Sequence, residues 1–388
     1  MNSKYEQRGV SADKTDVHHA IKKLDKGIFP NAFCKVLPDI AGGDDQYCNV
    51  MHADTAGTKT SLAYMYWKET GDHNVWKGII QDSIVMNLDD MACAGITNNI
   101  ILSSTIGRNK NLISGEVLQH LIEGTQHFIQ NMKDHGIEIT LAGGETADVG
   151  DIVRTLDVGF TAFARVPKKD IINIDIRPGD VIVGFASYGQ SVYEDRYNGG
   201  MGSNGLTSAR HDVFSHEYYQ KYPETFDPSV DESLIYSGNL KLTDVEPETG
   251  LTYGQLVLSP TRTYIPLIHR LIYEHRSAIH GIIHCTGGAQ TKVLKFCKDL
   301  HIIKDHLFPI PPLFKAIMQQ SETHPQELYK VFNMGHRLEV YTDEKSALDM
   351  IKLSNELGIE AQIIGRVEHH TETLLTITSD LGSFEYKS

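Results

Sequence analysis

The sequence predicts a mixed α/β (α+β) protein built from two domains. Strand-like and helix-like segments alternate in both halves of the chain, as they do in α/β and α+β folds. The 388 residues are also more than one hydrophobic core usually organises. A polar stretch at 166–178 contains two prolines and several turn signals. We therefore place the boundary there, with an N-terminal domain at 1–167 and a C-terminal domain at 168–388.

The N-terminal half shows one clear amphipathic helix among several shorter elements. Over 115–135, Val117, Leu121 and Phe128 belong to a set of apolar residues at helical spacing, with Ser114 available as an N-cap. Residues 1–45 are predicted to be loosely structured. The other predicted elements are a helix at 75–94 and strands at 47–53, 99–105, 137–141 and 155–165, with a Gly-rich loop after residue 141.

The C-terminal half repeats the mixture of strands and helices. Residues 188–255 have weak periodicity, and a segment this long inside a domain is usually functional or partly disordered. The predicted strands lie at 181–186, 337–341, 360–366 and 373–378, and the predicted helices at 260–275, 287–297 and 344–357.

Composition excludes several classes of function. The formal net charge of −14 disfavours binding to nucleic acid or to anionic lipid. Five cysteines without CxxC spacing indicate neither a disulfide framework nor a zinc site. The N-terminus has no apolar signal region, and no apolar run approaches the ~20 residues that a membrane span needs. We therefore expect a cytoplasmic protein with no membrane or nucleic-acid partner.

Acidic residues stand at two places where a metal-bound phosphate could be held. The segment 54–59 (DTAGTK) follows a strand, and Asp54 offers oxygen to Mg²⁺ while Lys59 can offset phosphate charge. Asp89 and Asp90 lie inside an otherwise apolar helix, where acids are costly unless paired or metal-bound. Asp82 lies on the same face but has a weaker claim. A surface turn and a simple salt bridge remain alternative interpretations.

Three glycine-containing segments follow strands or precede helices, where backbone amides can hold anions. They are 143–148 (GGETAD), 202–205 (GSNG) and 284–289 (HCTGGA). His284, at a strand end, is a candidate general acid/base. Arg262, after Pro260, is a candidate for fork-like phosphate binding. Tight turns, ordinary helix starts, a packed histidine and a structural arginine are the alternatives.

In this order, the motifs resemble the aminoimidazole ribonucleotide synthetase (phosphoribosylformylglycinamidine cyclo-ligase) family. The resemblance spans the chain from Gly9 to about Val367. The matching segments are 54–59, 89–90, 143–147 (GGETA), 203–205 (SNG), 260–264 (PTRTY), 284–288 (HCTGG) and 332–335 (FNMG). The 143–147 loop and the Asp pair also resemble the wider superfamily, which includes selenophosphate synthetase and thiamine-phosphate kinase.

The resemblance implies an ATP- and Mg²⁺-dependent ring closure of formylglycinamidine ribonucleotide in purine synthesis. It also implies a homodimer in which two N-terminal sheets close a barrel. Lys59 and His284 would be catalytic. Metal ligands would be Asp54, Asp90, Glu145 and Asp44, the last from a Gly-Asp-Asp loop. ATP or phosphate contacts would be Asp54, Gly57, Thr58, Lys59, Asp89, Gly143 and Gly144. Substrate contacts would be Ser203, Asn204, Arg262, Thr286, Gly287, Gly288 and Asn333.

The chain departs from the family pattern at several positions. Gly202 stands where a His usually precedes Ser-Asn-Gly, and Ala289 replaces a third Gly. His336 and Arg337 follow the 332–335 motif unusually, and the 211–255 segment is longer than usual. Thr55 and Ala56 also differ from the family in the first loop. These departures concern substrate contacts more than the class of enzyme.

Three other functions compete with the cyclo-ligase. A superfamily kinase acting on a small metabolite would form a phosphorylated acceptor instead of an imidazole. A selenophosphate synthetase would need a reactive cysteine in a Gly-rich N-terminal segment, whereas Cys34 has apolar neighbours. A non-catalytic nucleotide-binding protein would have no need of Asp54, Lys59, Asp90 and Glu145 together.

Overall fold

Two mixed sheets organise the structure, a computed structural model that describes residues 4–10, 20 and 23–387. The first sheet has the strand order β1-β2-β5-β3-β4. Its strands are β1 (Val36–Pro38), β2 (Tyr47–Thr55), β3 (Ile100–Arg108), β4 (Ile139–Asp148) and β5 (Leu156–Pro167). The polar N-terminal stretch, where no signal peptide is predicted, lies largely outside the described residues.

The second sheet has seven strands in the order β12-β11-β8-β10-β6-β9-β7. Only β8 and β11 pair in parallel within it. Its strands are β6 (Val181–Ala186), β7 (Gly281–His284), β8 (Leu300–Lys304), β9 (His336–Thr342), β10 (Ala361–His369), β11 (Leu374–Ser379) and β12 (Gly382–Lys387).

The described α-helices pack against these sheets or connect them. Those before the second sheet are α1 (Lys4–Gln7), α2 (Lys59–Thr70), α3 (Val75–Cys93) and α4 (Gly115–Asp134). Those after β6 are α5 (Leu206–Val213), α6 (Glu217–Lys221), α7 (Tyr253–Val257), α8 (Ile265–His275), α9 (Pro312–Ser321), α10 (Pro325–Val331) and α11 (Glu344–Glu356). Short 3₁₀ helices occupy Lys168–Asp170, Pro223–Thr225, Glu232–Leu234, Arg276–Ala278 and Ala289–Lys295.

Helix α3 is the element that joins the two halves. It packs against β2 and β5 of the first sheet and also against β7 and α8 of the second half. Sixteen of its nineteen residues are buried. Three of these, Asp82, Asn87 and Asp89, would face solvent on an exposed helix. A helix that is apolar nearly all round must be covered on every side. Here both sheets cover it.

The mixed α/β class is confirmed, and most predicted elements are present. The prediction that β4 stops at residue 141 is wrong, because the strand continues through the glycines to Asp148. Helix α8 starts at Ile265, not near Pro260, and α5 has Gly205 as its N-cap. The predicted helix at 287–297 is a 3₁₀ helix. Helix α2 was not predicted, because its buried residues surround it and leave no amphipathic period.

Segment 188–255 is ordered by aromatic packing instead of by long helices. Tyr218, Tyr236 and Phe226 are buried, and the Tyr236 ring contacts both of the other two. The hydroxyl of Tyr236 accepts a hydrogen bond from Arg210 and forms another with the Thr225 hydroxyl. Such packing has no fixed sequence period, which explains the weak signal. Among the described helices, none has the length and apolarity needed to cross a lipid bilayer.

Acid should destabilise the fold through His211 on α5. Burial, with Arg210 and Arg8 nearby, lowers the pKa of His211 well below its ordinary value of 6.5, and its Nδ1 accepts from the Tyr236 amide. Below that value the unfolded chain takes up a proton that the folded chain does not. Stability is therefore retained above pH 6.5 and lost as the pH falls, by up to about 1.4 kcal/mol per pH unit.

Urea unfolding between pH 7.5 and pH 5 checks this expectation. His211→Asn should show a shallower loss of unfolding free energy than the wild type, because asparagine keeps an acceptor but does not titrate. The exposed His369→Asn variant is the matched control and should follow the wild type. Equal slopes for all three proteins would contradict the assignment.

Candidate active site

Two buried acids of α3 hold the segment at 259–264. Asp82 Oδ1 accepts hydrogen bonds from the Thr261 amide at 2.7 Å and the Thr261 hydroxyl at 2.6 Å. One helical repeat further on, Asp89 accepts from the Thr263 hydroxyl at 2.7 Å and from the Tyr264 amide. Asp89 is fully buried, and burial raises its pKa. We call this arrangement the α3 clamp.

Lys59 belongs to the same clamp. Its Nζ donates to Asp82 Oδ1 at 2.7 Å and to the Ser259 carbonyl at 2.6 Å, and the side chain is fully buried. Burial lowers the pKa of Lys59, and Asp82 opposes that shift. The predicted phosphate-facing lysine therefore has protein partners in this structure, although Arg337 lies near enough to act on it electrostatically.

Asp90 lies between two histidines at the end of α3. His284 Nδ1 is 2.7 Å from Asp90 Oδ1, and His52 Nε2 is 3.4 Å from Asp90 Oδ2. The Asn87 amide nitrogen donates to two carbonyls, so its oxygen must accept from His52 Nδ1. His52 can then donate to Asp90 only as an imidazolium. Burial opposes that charge, but the bond to Asp90 raises the pKa of His52.

Arg337, at the start of β9, completes this buried charge cluster. Its Nε donates to His284 Nε2 at 3.3 Å, and its Nη2 donates to the carbonyl of Arg262. Arg337 as a whole is 2% exposed. Because Nε2 accepts from Arg337, the proton of neutral His284 belongs on Nδ1, facing Asp90. Burial raises the pKa of Asp90, but the bonds from His284 and His52 outweigh it and lower that pKa.

The first loop, 54–58, lies beside the cluster. Asp54 is two residues beyond His52 on the same face of β2 and raises the pKa of His52 electrostatically. Gly57 has φ of 61°, a left-handed conformation that favours glycine. The Thr58 hydroxyl is 2.8 Å from the Thr207 hydroxyl on α5. Asp54, Gly57 and Thr58 thus lie in a loop that meets the start of α5.

The glycine-containing segments 202–205 and 284–289 approach each other near the start of α5. A Cβ added to Gly287 would lie 3.8 Å from Asn204 Oδ1, which places these two predicted substrate residues together. Gly288 has φ of 93°, and Thr286 lies beside it. Asn333 donates to the carbonyls of Gly200 and Met201, so it holds the segment that leads into Ser203.

Arg262 has the geometry of a structural arginine, not that of a phosphate-binding one. It forms a bidentate pair with Glu194, and its Nη1 donates to the carbonyls of Ala186 and Tyr188. The side chain is 1% exposed. In this structure Arg262 thus braces the segment between β6 and α8 and has no guanidinium edge directed at a cleft.

Glu145 and the Gly143–Gly144 pair lie on a different part of the first sheet. Thr55, Gly159, Thr105 and Glu145 are directly paired across four strands, and their side chains share one face. Asp54 pairs with Phe160 in the adjacent row and so faces the opposite side, toward α3. With strands ~4.8 Å apart, three strand steps separate β2 from β4 by ~14 Å. Within one chain, Glu145 is not beside Asp54 and Asp90.

Asp44, the additional metal ligand predicted from the Gly-Asp-Asp loop, lies far from Asp54 within one chain. Asp44 lies in the hairpin before β2, whereas Asp54 lies at the far end of that strand. Seven residues of extended chain between Tyr47 and Asp54 span roughly 23 Å. The Gly-Asp-Asp sequence forms a hairpin turn, in which Asp44 accepts from the Gln46 amide.

Comparison with known proteins gives this architecture its family. Residues 34–166 match the N-terminal domain of AIR synthase related proteins, and residues 177–377 match the C-terminal domain. The chain belongs to the AIR synthase related protein family. The resemblance inferred from the sequence motifs is therefore confirmed.

Curated relatives of the chain share one name. Phosphoribosylformylglycinamidine cyclo-ligase of Methanocaldococcus jannaschii is 28% identical over 323 residues, covering 83% of this chain and 78% of the relative. The protein of the same name from Saccharolobus solfataricus is 27% identical, covering 89% of this chain and 88% of the relative.

Solved structures share the fold at low sequence identity. T. maritima PurL complexed with FGAR has a TM-score of 0.55 and 15% identity, and it covers 97% of this chain. The chain spans 50% of that PurL chain. A chain of the HypE–HypF complex has a TM-score of 0.54 and 13% identity, covering 97% of this chain and 99% of its own length. These likenesses support the two-domain α/β architecture.

The sequence motifs did not identify every member of the cluster. His52 lies in the middle of β2, and Asn87 lies on the buried side of α3, so neither is adjacent to a motif. The available signal was their alignment with motif residues: His52 is two residues before Asp54, and Asn87 is three before Asp90. Arg337 was noted only as a departure from the family pattern.

The α3 clamp should contribute strongly to stability. Asp82→Ala leaves Lys59 buried without its carboxylate, so we expect a loss of about 3–5 kcal/mol in unfolding free energy. Asp305→Ala breaks the exposed pair with Arg366 and should cost less than about 1 kcal/mol. Urea denaturation compares the two variants. Equal losses would show that the buried pair has no special role.

Proposed function

We propose that the chain catalyses ATP-dependent closure of formylglycinamidine ribonucleotide to 5-aminoimidazole ribonucleotide. The formyl oxygen would receive the γ-phosphoryl group of ATP, giving ADP and an iminophosphate. The amidine nitrogen would then attack the activated carbon, and phosphate would leave as the five-membered ring closes. Family membership and the common name of the curated relatives support this reaction.

The observation that carries the proposal is the Asp90 cluster beside the 54–58 loop and two of the glycine-containing segments, 202–205 and 284–289. His52 contacts Asp90, Asp90 bonds His284, and His284 accepts from Arg337, while the loop at 54–58 adjoins this chain of contacts. Segments with glycine and hydroxyl groups from both halves of the chain meet at the same edge. A phosphoryl transfer needs this combination of positioning and charge stabilisation.

Magnesium is the metal that this donor set fits best. Asp54 and Asp90 supply carboxylate oxygens, the ligands that Mg²⁺ prefers, and they lie on the same side of the first sheet. When bound, the ion would neutralise charge on the transferring phosphoryl group. Glu145, on the opposite face, would need to serve a second copy of the chain instead.

Within the cluster, Asp90 fixes the tautomer of His284. The carboxylate accepts from Nδ1, so Nε2 is the nitrogen able to receive a proton once Arg337 releases it. Lys59 has the α3 clamp as its partner, and a role in phosphate neutralisation would require it to exchange Asp82 for the nucleotide. Ser203, Asn204, Thr286, Gly287 and Gly288 would contact the ribotide.

Production of aminoimidazole ribonucleotide by the purified chain is the direct test. The wild type should form it from formylglycinamidine ribonucleotide, ATP and Mg²⁺, and Asp90→Asn should lower kcat by about 10²-fold or more. Asp349→Asn, on the exposed side of α11, is the matched control and should keep wild-type turnover.

The product also separates the alternatives. A phosphorylated acceptor with no imidazole would indicate a kinase of the same superfamily. ATP binding without turnover of either substrate would indicate a non-catalytic nucleotide-binding protein. Either result would overturn the cyclo-ligase proposal.

We also propose that two copies pair through the open face of the first sheet. Met51, Phe163 and Ile101 are directly paired across β2, β5 and β3, and they face away from α3. Met51 is 65% exposed and Ile101 is 42% exposed. An apolar row of this kind on a sheet face is usually covered by a partner. Pairing would also bring Glu145, on that face, to the second copy.

A charge in this row should separate the two copies. Ile101→Glu should convert a wild-type dimer to a monomer in light scattering coupled to size exclusion, with an unchanged circular dichroism spectrum. Leu348→Glu, at a more exposed apolar residue on α11, should remain a dimer. A monomeric wild type, or a dimeric Ile101→Glu variant, would exclude this interface.

A further inference from the structure

Two buried polar atoms beside the cluster have no hydrogen-bond partner. They are Nη1 of Arg337 and the hydroxyl oxygen of Ser203. A buried donor without a hydrogen-bond partner costs free energy. When such donors lie in a functional region, they indicate that a ligand supplies the acceptor. Arg337 is 2% exposed, so the residue is shielded from bulk solvent.

The two atoms belong to neighbouring parts of one site. A Cβ added to Gly202 would lie 3.1 Å from Arg337 Nη1, so this nitrogen is directed at the residue that precedes Ser203. The other donors of the guanidinium are engaged, Nε by His284 and Nη2 by the Arg262 carbonyl. Arg337 is therefore held in place with one N–H pointing toward the 202–203 segment.

The neighbouring acidic residues do not bond to this N–H, so it remains available to a ligand. Asp90 is engaged by His284 and His52, and both oxygens of Asp89 accept from residues 263–264. Asp82 Oδ1 is engaged by Lys59 and Thr261, whereas Asp82 Oδ2 is buried without a hydrogen-bond partner. No acid of the α3 clamp is hydrogen-bonded to the guanidinium. A cationic donor beside a hydroxyl is the arrangement that recognises a phosphoryl oxygen.

We propose that Arg337 and Ser203 form a subsite for a phosphoryl group. The inference rests on the proposed function, whose substrates are the phosphorylated molecules that would enter this cleft. The group is either the 5′-phosphate of a ribotide or a phosphate of the nucleotide. Arg337 Nη1 donates to one of its oxygens, and the Ser203 hydroxyl donates to another.

The glycine-rich segment gives the ligand a way in. Gly200, Gly202 and Gly205 all have positive φ, and Asn333 anchors only the stretch at Gly200 and Met201. The half-buried residues 203–204 can shift while that anchor holds. Any side chain at 202 would compete with the guanidinium for space.

Isothermal titration of the full chain tests the subsite without requiring turnover. The probes are ribose 5-phosphate and a non-hydrolysable ATP analogue with Mg²⁺, titrated separately. Arg337→Met should weaken the probe that uses the subsite by about 10- to 100-fold, the effect of losing a charged hydrogen bond. Arg337→Lys should restore part of that loss.

Ser203→Ala keeps the test valid if Arg337 variants unfold. The Ser203 hydroxyl has no protein partner, so its removal should leave the melting temperature unchanged while weakening the same probe about 5- to 10-fold. Arg366→Met removes an exposed arginine of β10 and is the matched control, with no effect on either probe.

The outcomes separate the subsite from the reaction. Weaker ribose 5-phosphate binding assigns the subsite to the ribotide, and weaker analogue binding assigns it to the nucleotide. Unchanged affinities in both Arg337→Met and Ser203→Ala, or no binding of either probe by the wild type, overturn the inference even if aminoimidazole ribonucleotide is formed. Variant-dependent binding without that product overturns the reaction and leaves the subsite.

Discussion

The buried acids of α3 are the constraint on which the rest of the structure depends. Asp82 and Asp89, one helical repeat apart, accept hydrogen bonds from backbone and hydroxyl groups of 261–264. An ionised acid inside a helix is tolerable only when such donors surround it. The same donors fix where α8 starts and, through the Arg262 carbonyl, where Arg337 lies. One helix thus positions parts of both halves of the chain.

The electrostatics of the cluster follow from that positioning. Asp90 is the next residue after the clamp, and the turn of the helix directs it away from 261–264 toward His52 and His284. In a region of low dielectric, each of these interactions is stronger than it would be in water. The site therefore holds its charges by mutual bonds and leaves Arg337 Nη1 and Ser203 as the donors without a protein acceptor.

The sequence predicted the regular elements better than the contacts between them. Helix α4 followed from its periodicity and strand β5 from alternation over 155–165, and the motifs had singled out both Asp90 and His284 as candidates. The position of Asp44 could not be read from the sequence, because a Gly-Asp-Asp sequence suits a hairpin as well as a metal loop. The length of β2 places it far from Asp54 within one chain. The sequence could not show that Arg262 is a bracing residue, because its partner, Glu194, lies far away in the sequence.

A crystal structure of the chain with Mg²⁺ and a non-hydrolysable ATP analogue tests the central claim most directly. That claim is that α3 assembles a nucleotide site with segments of both halves. The phosphates should lie at the edge formed by 54–58, 203–207 and 286–288, with the metal ion on Asp54 and Asp90. A nucleotide bound away from α3, with Asp90 contacting only its two histidines, would contradict the account.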